Sequence, residues 1–491
     1  MLPGIIAWAA VVASGGCFAP AKRLAFPPAP AALAGDRRLY DVDGDGRIDF
    51  ALDCGPSGRI ERLLYDDDED GTFDRSFRLD AYEPDRLPHL IILLDSIPFE
   101  TVASFYERGG LGAFDPPQKV IPPFPTMSGV IFSELLRAPP MPAANNRAYD
   151  PRTNAVENGI VRRAVGRGNA WESRLHYRTN YWENGWSFLQ PRSWYAAELP
   201  RIKAALDESP DRITLAYVAS TAGMLSRHGR DGLEEILVQL ETLCLELLYE
   251  RRGALAITVI SDHGHNLRPA QRISLDDSLI AAGFRIASRI RDGRDVVYDM
   301  DGLVNYLGMH TRDAAGVADA LAGRPELELV MYQQGDEVVI RDAEGLATVA
   351  ARHGRSRYRP VTADVLDYAP LLERFESAGL VDADGFVADD DWFEATVDHR
   401  WPDVPRRVWW AFHGLTVNVP QAMVTFRDGY CTGLDSMDLF IDMASTHGGL
   451  DQDDSATFVM TTTGRARRPM RTEDVLRIVE PRYDPNARPG R

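Results

Sequence analysis

The chain is short of cysteine, short of positive charge, and without a leading apolar stretch long enough to cross a bilayer. Of its four cysteines, Cys17 lies next to an apolar leader and Cys244 on the apolar face of an expected helix, where it reads as a packed thiol. At most one disulfide can then form, and a fold held by a disulfide framework is excluded. Lys and Arg number 54 against 73 Asp and Glu, a formal net charge of -19. Phosphate backbones are bound through clustered Lys and Arg, so nucleic acid is excluded as a partner. An anionic small molecule would need local positive charge, and a bound metal is the simplest source. The apolar stretch at residues 5–13 falls far short of the ~20 residues of a membrane span. What is present, 45% apolar and 26% charged residues, is the mixture of an ordinary globular protein, long enough for about two to four domains.

The N-terminus has the form of an address. Residues 5–13, bounded by small residues, look like the core of a secretory signal. Ala13-Ser14-Gly15-Gly16-Cys17 resembles the lipobox of bacterial lipoproteins, in which the cysteine is acylated. It departs from that pattern in having no Lys or Arg before the apolar core and in Ser14, where Leu or Val is usual. The expectation is a signal over 1–17, lipidation at Cys17, and an extended Ala/Pro tether over 18–36. The protein would then be exported, periplasmic or on the outer membrane, and held to the membrane by its lipid.

A repeat follows. Asp41, Asp43, Asp45 and Asp49 recur 25 residues on (41 to 66) as Asp66, Asp68, Asp70 and Asp74, each set with Gly at its sixth place and an apolar residue at its eighth. That spacing wraps oxygen ligands around a hard cation while the glycine allows a tight turn, as in the first part of an EF-hand loop. No Glu stands at the twelfth place, so the copies more closely resemble the short calcium loops of extracellular β-repeat proteins. A small Asp-rich, calcium-binding β module is expected over 37–80, with no catalytic part.

The chemistry-bearing segments come later. Residues 254–260 form a uniformly apolar, β-branched run, read as a central strand covered on both faces, and it stops at Ser261-Asp262-His263-Gly264. A carboxylate beside an imidazole at the carboxyl end of a parallel strand can hold a metal; the plainer alternative is a helix-capping Asp beside a surface His. Residues 90–94 repeat the form and close on Asp95. A Pro-stiffened loop then reaches Pro125-Thr126-Met127-Ser128-Gly129 at the start of an apolar helix. Ser128 there is either a helix cap or a nucleophile held at the positive helix end. Late in the chain stands Thr446-His447-Gly448-Gly449.

Asp95, the Pro125–Ser128 turn, Ser261-Asp262-His263-Gly264 and Thr446-His447-Gly448-Gly449, in that order across residues 87–476, resemble the alkaline phosphatase superfamily, and within it the type I phosphodiesterase and nucleotide pyrophosphatase branch. The resemblance implies a three-layer α/β/α fold with a mixed, mostly parallel central sheet over 86–480 and an inserted cap, expected at about 281–400. It implies zinc, one ion or two, the first held by Asp95, Asp262 and His263 with Ser128 as nucleophile; Thr126 is the alternative register for that nucleophile. The second ion would be held by His447 and a D-x-x-x-H segment following the strand at 213–218. Here the chain departs from the pattern: Ala222 and Ser226 stand where the Asp and His belong. Alanine cannot ligate and a serine hydroxyl is a poor zinc ligand. His228, two positions beyond, is the candidate substitute.

Other segments read as architecture. Leu233, Ile236, Leu237, Leu240, Leu243 and Leu247 recur at helical spacing and predict a packed helix over 231–250. The aromatic-rich segment 171–194 is either core or a wall of the pocket. His413 is expected to be structural. The leading function is metal-assisted hydrolysis of a phosphate mono- or diester, from a small molecule or a lipid headgroup. The alternative is an impaired or inactive relative that binds an anionic ligand or an envelope partner. A sulfatase would need a C/S-x-P-x-R context, which the residues after Ser128 do not supply.

Overall fold

The structure is a computed structural model, and it describes residues 24–158, 168–300, 302–434 and 443–487. The leader, Cys17 and the first part of the tether lie outside the described residues.

A six-stranded sheet organises the chain. Its strands run, from one edge to the other, Ile213–Val218, His89–Leu94, Ala256–Ser261, Thr457–Thr461, Gln118–Ile121 and Met470–Arg471. The first three are mutually parallel, Thr457–Thr461 is antiparallel to both neighbours, and the last pair is parallel again. The mixed, mostly parallel α/β sheet expected from sequence is therefore present. Every residue of His89–Leu94 and Ala256–Ser261 is buried, which is why both strands are mainly apolar rather than alternating; the buried polar pair His89 and Thr258 is joined by a hydrogen bond. Leu90, Ile92 and Leu94 pack on one face against Ile236, Leu240, Leu243 and Leu247. Ile91 and Leu93 pack on the other against Phe132, Leu135, Val475 and Leu476. Helices on both faces make three layers.

The helix expected over 231–250 begins earlier, spanning Ser220–Glu250, with non-helical backbone at Gly229 (φ 53°, ψ -129°). Residues 222–229, read from sequence as a loop, are helical because Met224 and Leu225 are fully buried, and the left-handed backbone at Gly229 lets one helical run turn into the next.

The Asp-rich module is a five-stranded antiparallel meander from Ala32–Ala34 to Arg75–Arg78. Tyr40 pairs with Phe50, Phe50 with Tyr65, and Tyr65 with Arg75, so both Asp loops leave the sheet at the same end. The module does not stand apart. Phe50 and Tyr65 meet Tyr249 with ring centres 4.9 and 5.4 Å away, joining the core beneath the central sheet.

A nine-stranded sheet forms the cap region, from Arg285–Ile286 to Val387–Ala388 along the chain, with Ala422–Phe426 between Tyr306–His310 and Leu327–Gln334. Residues 422–426, which read in sequence as a lead-in to the last motif, thus sit in the middle of the cap sheet, beyond the expected boundary at 400. Their apolar side chains complete its core with Leu307, Met309 and Val330.

Candidate functional site

Three loops meet above the carboxyl ends of the parallel strands. Leu94 pairs in register with Ser261, so the next residues, Asp95 and Asp262, stand level on neighbouring strands. The sequence places carboxylates there by ending two buried apolar runs on Asp. Ser96 follows Asp95 with φ 71°, a left-handed conformation uncommon for a side-chain-bearing residue. That turn lets the Ser96 N–H donate to Asp262 Oδ1 (2.9 Å) and its hydroxyl donate to Asp95 Oδ1 (2.8 Å).

Asp262 Oδ1 also accepts the His263 N–H at 2.8 Å, while its Oδ2 is buried without a hydrogen-bond partner. An unpaired carboxylate oxygen out of water is costly unless a cation or a proton joins it. His263 gives its Nδ1–H to the Gly264 carbonyl at 2.8 Å, which leaves the Nε2 lone pair free, the tautomer a metal ligand needs. Gly264 is required for packing: a Cβ there would lie 2.6 Å from the Asp453 carbonyl. Asp95, Asp262 and His263 bring one ligand atom each within 4.8 Å of one another. Two carboxylates and an imidazole, with the orphan Oδ2 among them, fit a divalent cation.

Electrostatics agree with that fit. Burial, then the Asp262 charge, pushes the Asp95 carboxyl up to about 6. Burial pushes Asp262 up to about 7 and holds His263 below the usual histidine value. Each shift disfavours a charged side chain in a dry pocket, and a cation reverses that preference for the carboxylates. Tyr217 adds a contact the sequence does not single out: its hydroxyl donates to Asp95 Oδ2 at 2.5 Å.

Ser128 is the first residue of the helix Ser128–Leu135, whose cap position is Met127, without a side-chain capping bond. The hydroxyl therefore does not cap the helix. Its Oγ lies 3.5 Å from both Asp95 oxygens and 3.4 Å from His263 Nε2. Thr126, the alternative register, is fully buried and donates to the Gly449 carbonyl at 3.0 Å. Of the two hydroxyls of the turn, Ser128 is the half-buried one that faces Asp95 and His263.

His447 comes over the site on the loop before Gln452–Ser455. Its Nδ1–H donates to the Thr126 carbonyl at 3.0 Å, and its ring stacks on His263 with centres 4.1 Å apart. Burial and the neighbouring His263 lower it to about 3. Ala222 and Ser226 are both buried in the first turns of their helix. His228 lies on the same helix, among the charged groups Arg192, Arg227, Glu235 and Asp231. A second residue outside the sequence reading is His265, buried beside His447 with ring centres 5.4 Å apart. The alternation His263-Gly264-His265 was the available signal, since two residues on in an extended turn can face the same side.

The remaining sequence candidates lie elsewhere. Trp171 is buried against Phe132 and Tyr217, with ring centres at 5.1 and 5.6 Å, and so buttresses the Ser128 helix and the Asp95 partner from below. Trp194 is buried too; both belong to the core rather than to an exposed pocket wall. His413 stacks on Trp409 at 3.5 Å and donates its Nδ1–H to the Trp409 carbonyl, a structural role. A cavity of about 240 Å³ bordered by Pro122, Glu134, Arg406 and Trp410 includes none of the site residues.

In the two Asp loops, Asp41 accepts the N–H groups of Gly44, Asp45 and Gly46, and Asp66 accepts those of Asp70 and Gly71. Asp41, Asp43 and Asp45 form one cluster of potential ligands, and Asp66, Asp68 and Asp70 another. Asp49 and Asp74 each accept a backbone N–H at the start of their loop, from Val42 and Asp67.

No family model matches the chain, and no curated protein matches it. Among solved structures, murine ectonucleotide pyrophosphatase/phosphodiesterase 5 is similar at 13% identity and a TM-score of 0.40, over 79% of this chain and 92% of that one. Phosphonoacetate hydrolase from Sinorhizobium meliloti 1021, in complex with phosphonoacetate, is similar at 12% identity and a TM-score of 0.41, over 82% and 95%. Human ectonucleotide pyrophosphatase/phosphodiesterase 5 is similar at 12% identity and 0.40, over 79% and 92%.

Proposed function

We propose that this protein is a metal-dependent hydrolase of phosphate esters, of the alkaline phosphatase superfamily, with Ser128 as its nucleophile and Asp95, Asp262 and His263 as ligands of a zinc ion. The observation that carries the reading is the unpartnered, buried Asp262 Oδ2 beside Asp95 and the free Nε2 of His263, with a half-exposed hydroxyl 3.4 Å from that nitrogen. Asp115, Glu328 and Asp454 also carry a buried carboxylate oxygen without a hydrogen-bond partner; Asp262 differs from them in bringing a ligand atom within 4.8 Å of those of Asp95 and His263.

A divalent cation bound there would lower the pKa of the serine hydroxyl and take up charge on a phosphoryl oxygen. The chain's own groups do the rest. Ser128, at a helix N-terminus that favours negative charge, would attack phosphorus as the bond to the leaving oxygen breaks; the proton the serine gives up is balanced by one taken up by that oxygen, which departs as the alcohol, and Asp95, 3.5 Å from the hydroxyl, stays ionised. Tyr217 and Ser96 hold that carboxylate in place by hydrogen bonds to its two oxygens. Water then hydrolyses the phosphoserine and regenerates the hydroxyl.

A second reading, a binding protein for an anionic ligand with little or no turnover, is favoured by Ala222 and Ser226. The further assignments of calcium to the two Asp loops, of export, and of a lipid anchor at Cys17 belong to the same proposal; the exposed carboxylate clusters support the first. The test is metal analysis of the purified chain together with turnover of p-nitrophenyl phosphate and bis(p-nitrophenyl) phosphate. Zinc bound and either ester cleaved supports the hydrolase. Zinc bound with neither ester cleaved favours the binding protein, and a chain that takes up no zinc ends both readings of the centre.

A further inference from the structure

His265 is buried in the centre but has no role in the ligand set just given. Its Nδ1–H donates to Ser445 Oγ at 2.6 Å, and that hydroxyl donates onward to the Leu225 carbonyl at 3.1 Å. Of the two ways to share these protons, the one in which the hydroxyl donates to the carbonyl and the ring to the hydroxyl satisfies all three groups, and it leaves the Nε2 of His265 as a lone pair. That Nε2 is buried and has no hydrogen-bond partner, and the residue is only 2% exposed. The same arrangement recurs at His263 and His447, whose Nδ1–H groups go to the carbonyls of Gly264 and Thr126. All three neighbouring imidazoles have Nδ1 tied to an oxygen, the way outer partners orient histidine ligands; His263 Nε2 faces Ser128 Oγ and Asp262 Oδ2, each at 3.4 Å, whereas His265 Nε2 has no partner.

Ring geometry sorts the three between positions. With Zn–N bonds of ~2.0–2.1 Å at tetrahedral angles, two imidazoles bound through Nε2 to one zinc hold their ring centres ~5 Å apart. His265 and His447 are 5.4 Å apart with planes at 50°. His263 and His447 lie 4.1 Å apart and nearly parallel, at 21°, too close and too flat against each other to share one tetrahedral ion. His447 therefore pairs with His265, and His263 stays with the carboxylates.

We infer that His265 and His447 form a second, two-histidine cation position beside the first, built without any contribution from residues 222 and 226. The inference rests on the reading of Asp95, Asp262 and His263 as the first position. Imidazole suits zinc, and two protein ligands leave two places for water or for an oxygen of an anionic ligand. Such a site is weaker than a three- or four-ligand one, so it fills after the first. Ser445 is a positioning residue: it touches the ring, not the ion.

The experiment is zinc titration of the metal-stripped full chain by equilibrium dialysis, in millimolar calcium so that the Asp loops are kept from the softer ion. The wild type is expected to bind two zinc ions in two resolved steps. His265→Ala should lose the weaker one and keep the tighter; Asp262→Asn should do the reverse. Ser445→Ala, which leaves the ligand in place, should weaken the second step ~10-fold without removing it, and a melting curve for each variant reports whether it is folded. Two ions retained by folded His265→Ala, or a single ion in the wild type that Asp262→Asn removes and His265→Ala does not, overturns the inference and leaves the first position standing. A single ion lost in His265→Ala but kept in Asp262→Asn overturns the first position and supports this one.

Discussion

The two carboxylate-rich regions of this molecule solve opposite problems. The N-terminal loops hold most of their aspartates at the surface, the buried Asp66 excepted, and spend the oxygens on backbone N–H groups, as Asp41 does with Gly44, Asp45 and Gly46. The charges at the loop tips are wet, and the shift at Asp68 is a rise caused first by Asp70 and Asp74; only at the loop base, where Asp49 is part-buried, does burial come first. The centre at the strand ends holds Asp95 and Asp262 out of water, with Asp262 Oδ2 unpaired, and there burial is the first cause of the rise at both. Carboxylate number therefore says little about chemistry. What separates the regions is desolvation: a wet cluster screens itself, whereas a dry one needs a proton or a cation before it can be charged.

The sharpest break between the two comes from Ser128→Ala. Turnover of a phosphate ester should fall at least ~10³-fold, with zinc content and melting temperature unchanged. A variant that keeps turnover would remove Ser128 from the chemistry and with it the distinction drawn here.

Asp262→Asn tests desolvation itself. The folded pKa of about 7 stands above the ordinary 3.8, so the wild-type group contributes stability that is fully present below about pH 4 and lost as the pH rises through about 7. In metal-free protein the variant should therefore gain melting temperature relative to wild type as the pH is raised from 5 to 8, while zinc binding is lost at every pH. A difference in melting temperature that does not change with pH would mean that Asp262 is not held protonated by burial.

Smaller effects should follow from Tyr217→Phe and Asp41→Asn. The first removes one hydrogen bond to a carboxylate, worth about 1.5–3 kcal/mol, and should lower turnover by about 10- to 100-fold with the metal retained. The second should abolish part of a calcium-dependent rise of a few degrees in melting temperature, with turnover untouched, because the module shares core contacts at Tyr249 with the catalytic-type domain but none of its site residues.

What could be read from the sequence was whatever is local. Two apolar runs ending on Asp95 and on Asp262-His263 announce buried parallel strands and place those side chains at their ends, since strand burial and chain direction follow from neighbouring residues alone. The repeat from Asp41 to Asp74 and the packed helical face from Leu233 to Leu247 are legible for the same reason. Tertiary structure decided the rest. Tyr217 reaches Asp95 across 122 residues and His265 meets Ser445 across 180, contacts that no periodicity encodes. The burial of Thr126 and the freedom of Ser128, alike as hydroxyls in sequence, depend on the Gly449 carbonyl that takes one and leaves the other. The start of the long helix at Ser220, and the place of Ala422–Phe426 inside the cap sheet, likewise follow from packing against distant strands. Sequence fixes which groups sit at strand ends, because that is a property of the chain's own direction; which of them are left unpaired is a property of what folds over them.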